Sequence, residues 1–338
     1  MRGRLWLGVC AALLGMAIPL LWLYTLVTPG EEAVKVRNGL VAQIGEPADF
    51  DWLPNETPAT FLLDRGPVPV EFARIAAHLS ESAEPGHAGG LDLALVISRH
   101  LMSAPHHVGG PVQASAAVAY KGITRHGHGY CADFTQVFTA IATAAGLSVR
   151  TWGISFEAFG AGHAFNEVFD KARHKWVLVD SFHSLYFVDG MTQEPLSVLE
   201  VHKRLLALGG ADTGLLAIRR IVPDRFPFRS DALALDYYRR GMPQLALAWG
   251  SNVFDYDRST AVRLGARVSR HLERALAIAS GVYPKLRIYP IGVSERDVQA
   301  LFRARNRFLI AVAASGLALL TFGWQLAVVL RRPNARVS

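Results

Sequence analysis

The chain has 338 residues, 51% of them hydrophobic and 19% charged, with 35 Lys or Arg against 28 Asp or Glu and a formal net charge of +7. That length supports a sizeable core, and that composition excludes a disordered polymer. A mean hydropathy of +0.22 is high for a protein surrounded only by water and directs attention to apolar runs long enough to cross a bilayer.

Residues 5–27 carry no charge and follow Arg2 and Arg4. As a helix they reach about 35 Å, enough for a hydrocarbon layer of about 30 Å. The run is longer than the apolar region of a cleaved leader and shows no small-residue cleavage motif, so residues 1–28 are expected to be an uncleaved transmembrane anchor. Cys10 lies inside it and reads as lipid-facing filler, because Val9 is bulkier than the residue that precedes a lipidated cysteine.

Residues 29–89 read as a linker and leading helix. The stretch EPADFDWLPNETP is extended and packs on the main domain, and a helix is expected over 70–79. After the loop EPGHAGG, a second helix is expected over 91–102, then the loop APHHVGGP and a small-residue helix near 112–120. The turn HGHGY leads into Cys131, after which Phe134, Phe138, Ile141 and Ala145 recur at helical spacing up to Gly146. Cys131 therefore opens a buried helix.

Three strand-like runs follow, SVRTWGISF, HAFNEVFD and KWVLVDSF, which predict an antiparallel sheet against that helix. Residues 191–306 read as a mostly helical extension, interrupted at VPDRFPFRS and containing a long arginine-studded helix over 259–280. A second uncharged run, 308–330, stops at Arg331 and Arg332 and predicts a second span over 307–330 with a basic cytoplasmic tail, 331–338. The positive-inside rule puts both short tails in the cytoplasm and the domain between them on the other side, which in a bacterium is the periplasm. Arg303, Arg305 and Arg307 run against that rule and are expected at the outer headgroups.

Only two cysteines exist and one lies in a span, so the domain holds a single thiol and no internal disulfide. At the first turn of a helix a thiolate is stabilised by the helix dipole and unpaired N–H groups, which suits a nucleophile. Gly127 and Gly129 permit a sharp turn and a close approach of substrate to backbone. The two strands that follow can pair through a turn at KARHK. If Phe169 pairs with Trp176, His163 lies opposite Phe182 and diagonal to Asp180; one residue of slip puts His163 directly opposite Asp180. Asp180 could then orient and charge-stabilise His163 while His163 activates Cys131.

A lone helix cysteine is more often inert packing, and the weight here comes from its company. His106, His107, His126 and His128, with Cys131, offer a metal site as an alternative, but without a recognised ligand spacing. Glu167 and Asn166 lie close to His163 on the same strand and could touch substrate, but alternation assigns one of them to sheet support, and neither is counted as catalytic. Trp152, Phe156 and Phe159 read as sheet core. No basic stretch is interleaved with aromatics as a nucleic-acid site requires, so no nucleic-acid partner is expected.

Together GYCADFTQVFTAIATAAGLSVRTWGISF, GHAFNEVF and KWVLVDSF resemble the transglutaminase-like superfamily over roughly residues 90–190. The resemblance implies an α+β, papain-like core, a nucleophile helix packed on an antiparallel sheet, here with added helical regions and two transmembrane helices. It implies Cys131 as nucleophile, His163 as general base and acid and Asp180 as orienting residue, with no cofactor and no metal. Phe165 stands where the family commonly has tryptophan, which bears on the pocket wall. The resemblance is nearest to membrane-anchored bacterial proteins of envelope-polysaccharide systems. The expected activity is hydrolysis or acyl transfer at an amide-bearing or peptide substrate in the bacterial envelope, by an enzyme anchored in the inner membrane with its catalytic domain in the periplasm and with envelope polysaccharide machinery as partner. The alternative is a noncatalytic scaffold that retains the fold. The Cys131 N–H is the natural first oxyanion donor, with a side chain such as Gln113 as a candidate second.

Overall fold

A computed structural model describes residues 2–28, 30–82, 90–105, 107–109, 115–207 and 215–331. The chain divides into two units. One comprises residues 1–40, 157–161 and 295–338, and the other residues 41–156 and 162–294.

The first unit is helical. Its helices are Arg2–Val27, Glu31–Val41 and Glu295–Arg331. Leu26, Val36, Ala304 and Ala311 are buried together, with Leu23, Leu40 and Phe308 packed against them. The helices approach closely at Gly39, where an added Cβ would lie 3.0 Å from the Leu301 carbonyl oxygen. Residues 295–328 are long and apolar enough to cross a membrane. Two spans were expected, but the N-terminal helix meets that test only together with Glu31–Val41, from which it is bent by 91°. The C-terminal helix also begins well before residue 307, since Arg303, Arg305 and Arg307 continue it without a break. Arginine is a good helix former, so the charge pattern marks a change of surroundings and not a helix end.

The second unit is built on a mixed sheet. Its order runs Ala42–Ile44, Lys285–Ile288, Ala246–Ser251, Val149–Phe156, Ala161–Asp170, Lys175–Val179, with Leu62–Leu63 pairing to Ala246–Ser251. The strands read from sequence form as expected, and Ala161–Asp170 and Lys175–Val179 are antiparallel with Phe169 opposite Trp176. The sheet is larger than an antiparallel trio because two short strands from the linker join in parallel and two more come from residues 191–306. The linker is tied down by aromatic burial, with Phe50, Trp52 and Phe61 in the core.

Strand alternation divides the core between the two sheet faces. Trp176 and Leu178 join one cluster with Trp152, Phe165, Trp249 and Tyr238; Val177 and Val179 join the other with Phe134, Phe138 and Ile141 of the helix Cys131–Ala144. The helices expected at 70–79 and 91–102 form over Val70–Glu81 and Gly90–Leu101, and the small-residue helix forms over Ala116–His126. The arginine-studded helix is broken in two, Thr260–Val268 and Arg270–Ala279, because extended Ser269 caps the second half by accepting from the Leu272 N–H. Gly265 lets the halves fold together, since a Cβ there would lie 2.7 Å from Glu273 Cα.

Candidate active site

Cys131 is the first residue of its helix. Tyr130 caps that helix in an extended conformation, its N–H donating to Asp133 Oδ2 at 2.9 Å. Gly127, at φ 64°, ends the preceding helix in the left-handed region and lets the chain turn through His128 and Gly129 to Cys131.

The ladder between the histidine strand and Lys175–Val179 stops at Asn166 opposite Val179. Beyond that point the Ala164 N–H donates to the Cys131 sulfur. His163 lies on the same stretch of strand, buried, with Nε2 2.5 Å from Asp180 Oδ2. Nε2 being engaged there, Nδ1 is the ring nitrogen left for the hydrogen bond between His163 and Cys131. Extended past its last pair, the register sets His163 beside Phe182 and diagonal to Asp180, the first of the two pairings considered from sequence.

Asp180 bridges to Leu185 and opens a tight turn, its Oδ1 accepting from the N–H groups of Phe182 at 3.0 Å and His183 at 2.8 Å. Oδ2 also accepts from the Tyr238 hydroxyl. Tyr238 lies on the helix Asp231–Gly241, and its oxygen sits 3.0 Å from His183 Nδ1. Because the Tyr238 proton is committed to Asp180, its oxygen accepts and His183 Nδ1 donates. The His183 ring stacks on His163, with centroids 3.9 Å apart and planes inclined by 13°.

The charges follow from these contacts. Burial opposes ionisation of Asp180, but the positive charge of His163 and the hydrogen bonds from His163 and the His183 N–H overcome it and hold the carboxyl well below its usual range. Burial opposes protonation of His163, yet Asp180 and then Cys131 push it up to about 10. Burial opposes the Cys131 thiolate, and the hydrogen bond and charge of His163 with the Ala164 N–H bring the thiol below its ordinary value. Burial brings His183 down to about 4, so it is neutral. The arrangement favours the thiolate–imidazolium pair, the form in which a cysteine attacks a carbonyl.

The residues around the site separate support from chemistry. Asn166 faces the nucleophile helix, its amide donating to Thr139 Oγ1 at 2.9 Å and to the Thr135 carbonyl at 3.3 Å. Glu167 is buried on the other face, where Oε2 accepts from Arg150 Nε at 2.9 Å and Trp152 Nε1 at 2.8 Å and Oε1 accepts from the Val198 N–H. Arg150 itself lies against Trp176, Trp52 and Trp152, so this is a buried ion pair in an aromatic cage. Trp152 and Phe159 are buried and Phe156 is half-buried against Tyr237.

His163, Asp180 and His183 offer ligand atoms within 4.8 Å of one another. The near-parallel stacking of the two imidazoles runs their in-plane lone pairs side by side instead of converging them on one ion. In the histidine-rich loop His107 pairs with His128 through a short parallel bridge. Gln113 and His106 lie outside the described residues. Sequence reasoning missed His183 and Tyr238. His183 sits in a turn without periodicity, and Tyr238 is 58 residues from Asp180 on a helix whose polar pattern gives no sign of the contact.

Residues 105–181 match the family model of the transglutaminase-like superfamily, a span that contains Cys131, His163 and Asp180. No curated protein and no solved structure matches the chain. The mixed helix-and-sheet fold of this segment fits that match, which supports a transglutaminase-like core over residues 105–181.

Proposed function

We propose that this protein is a membrane-anchored cysteine enzyme that acts on amide bonds through a thioester at Cys131. The observation that carries the reading is the continuous hydrogen-bonded run from the Cys131 sulfur through His163 to Asp180. The Cys131 thiolate attacks the amide carbonyl carbon; a C–S bond forms and the carbonyl π electrons move to oxygen. The tetrahedral intermediate collapses with loss of the amine, which takes its proton from His163. Water or an acceptor amine then attacks the thioester, gives its proton to His163 and releases the thiolate. Hydrolysis and acyl transfer thus differ only in the acceptor.

Anchoring is supported by the exposed apolar side chains of the long helices. Ile18, Leu21, Leu317, Leu320 and Trp324 all face outward, an arrangement that lipid accommodates and water opposes. With the N-terminal helix as a second span and the arginines at both ends in the cytoplasm, the catalytic unit lies on the periplasmic side of a bacterial inner membrane. An amide-bearing or peptide component of the envelope, handled beside its polysaccharide machinery, is the corresponding substrate class.

The test is alkylation of Cys131 in the purified protein across pH, with Cys10→Ser to silence the other thiol. Fast alkylation near neutral pH that His163→Ala abolishes is the expected result. Slow alkylation following an ordinary thiol pKa in both proteins would favour a noncatalytic scaffold.

A further inference from the structure

The family segment ends at residue 181, yet Asp180 is held partly from outside it. Two of its donors are backbone groups of its own turn, the Phe182 and His183 N–H groups on Oδ1, and these fix the orientation of the carboxylate. The Tyr238 hydroxyl donates instead to Oδ2, the oxygen that faces His163. Orientation being already provided, the hydroxyl mainly draws off charge that the imidazolium would otherwise feel. His183 reinforces it, because a hydroxyl that accepts from Nδ1–H becomes a stronger donor.

We propose that Tyr238, backed by His183, is a positioning residue that acts through Asp180 to set the proton affinity of His163. The inference rests on the Cys131–His163 reading above. Without this hydroxyl, Asp180 holds the imidazolium more tightly and His163 becomes a poorer acid toward the departing amine.

The groups facing the Asp180–His163 pair are Cys131 from the nucleophile helix, His183 from the turn, and Tyr237 and Tyr238 from the helix Asp231–Gly241, with Arg240 acting on Tyr237. Burial and the Asp180 charge hold the Tyr238 phenol far above its usual value, so it remains a donor across the neutral range. His183 stays neutral down to about 4 and keeps its single N–H for Tyr238.

Tyr238→Phe removes the hydroxyl and keeps the ring against Phe187 and Phe165. The measurement is the rate of Cys131 alkylation by iodoacetamide against pH, on the full-length protein in detergent with Cys10→Ser. Loss of one hydrogen bond to a charged group is expected to move the acid edge of fast alkylation down by about one pH unit. An edge that stays in place or moves up overturns the proposal. Should Tyr238→Phe fail to fold, His183→Phe keeps the stacked ring and deletes the N–H; a smaller downward shift is expected, and no shift overturns the proposal. A wild-type protein with an ordinary thiol pKa overturns the enzyme reading and this inference with it, whereas an activated wild type with unmoved variants overturns this inference alone.

Discussion

At Asp180, a carboxyl deprived of water stays ionised because four donors surround it, one of them the imidazolium of His163. Asp180→Asn removes the charge and keeps the shape, so the imidazolium loses its counter-ion and the thiolate its support. Alkylation of Cys131 at pH 7 is expected to fall by about tenfold or more, one decade for each unit of pKa returned toward the ordinary value. An unchanged rate would remove Asp180 from the candidate triad. His183 and His202 lead to a stability prediction. Burial lowers each to about 4, against a hydrogen bond from His202 to the Ile291 carbonyl. Unfolded, each takes up a proton near pH 6.5, so between pH 6.5 and 4 the unfolded chain binds more protons than the folded one. Stability is therefore fully present above pH 6.5 and falls as pH drops through this window, by up to about 3 kcal/mol per histidine. Asp64 and Asp257, raised to about 6 by burial, shift stability the other way over the same range. Denaturant melts at pH 7 and pH 4.5 are therefore compared between wild type and His202→Phe; an equal pH dependence in the two would contradict the burial of the neutral ring.

At the scale of elements, the histidine strand serves three neighbours through alternate side chains. His163 reaches the site, Asn166 ties the strand to the nucleophile helix, and Glu167 meets Arg150 beneath the aromatic cage. Glu167→Gln keeps the volume but leaves the Arg150 guanidinium buried without its counter-charge, which is expected to cost about 3–5 kcal/mol in a denaturant melt. The half-exposed pair of Arg173 with Glu194 provides the contrast, since Glu194→Gln should cost at most about 1 kcal/mol. If the two variants melted alike, the caged pair would not be the anchor of this sheet. The start of the helix Gly90–Leu101 is equally constrained, because a Cβ on Gly90 would come 2.2 Å from the Phe169 carbonyl oxygen, backbone that cannot step aside. Register was legible to within one residue, since the hairpin turn restricts it; burial of Phe169 with Trp176 on one face and of Val168 with Val177 on the other selected between the two alternatives.

For the whole molecule, the first prediction concerns anchoring. If the N-terminal helix is a second span, deleting residues 308–338 leaves the protein in membranes washed with alkaline carbonate; release into the supernatant would leave only the C-terminal anchor. The second concerns how much chain the fold requires. Ala246–Ser251 lies inside the sheet beside Val149–Phe156, and Tyr238 reaches Asp180, so residues beyond 190 contribute to both the sheet and the candidate site.

By itself the sequence determined the helix opening at Cys131, the strand that carries His163 and the one that leads into Asp180, and the apolar terminal runs. Each of these is written in local periodicity: spacing of apolar residues sets element type and buried face within a dozen residues. Only the tertiary structure decided that linker residues 42–44 and 62–63 enter the sheet, that Glu167 supports the core instead of the chemistry, and that His183 and Tyr238 close on Asp180. Periodicity states that a face is buried without stating what covers it, and the covering groups here come from chain segments far apart in sequence, brought together by burial of Trp152, Trp249 and Tyr238 in one shared core.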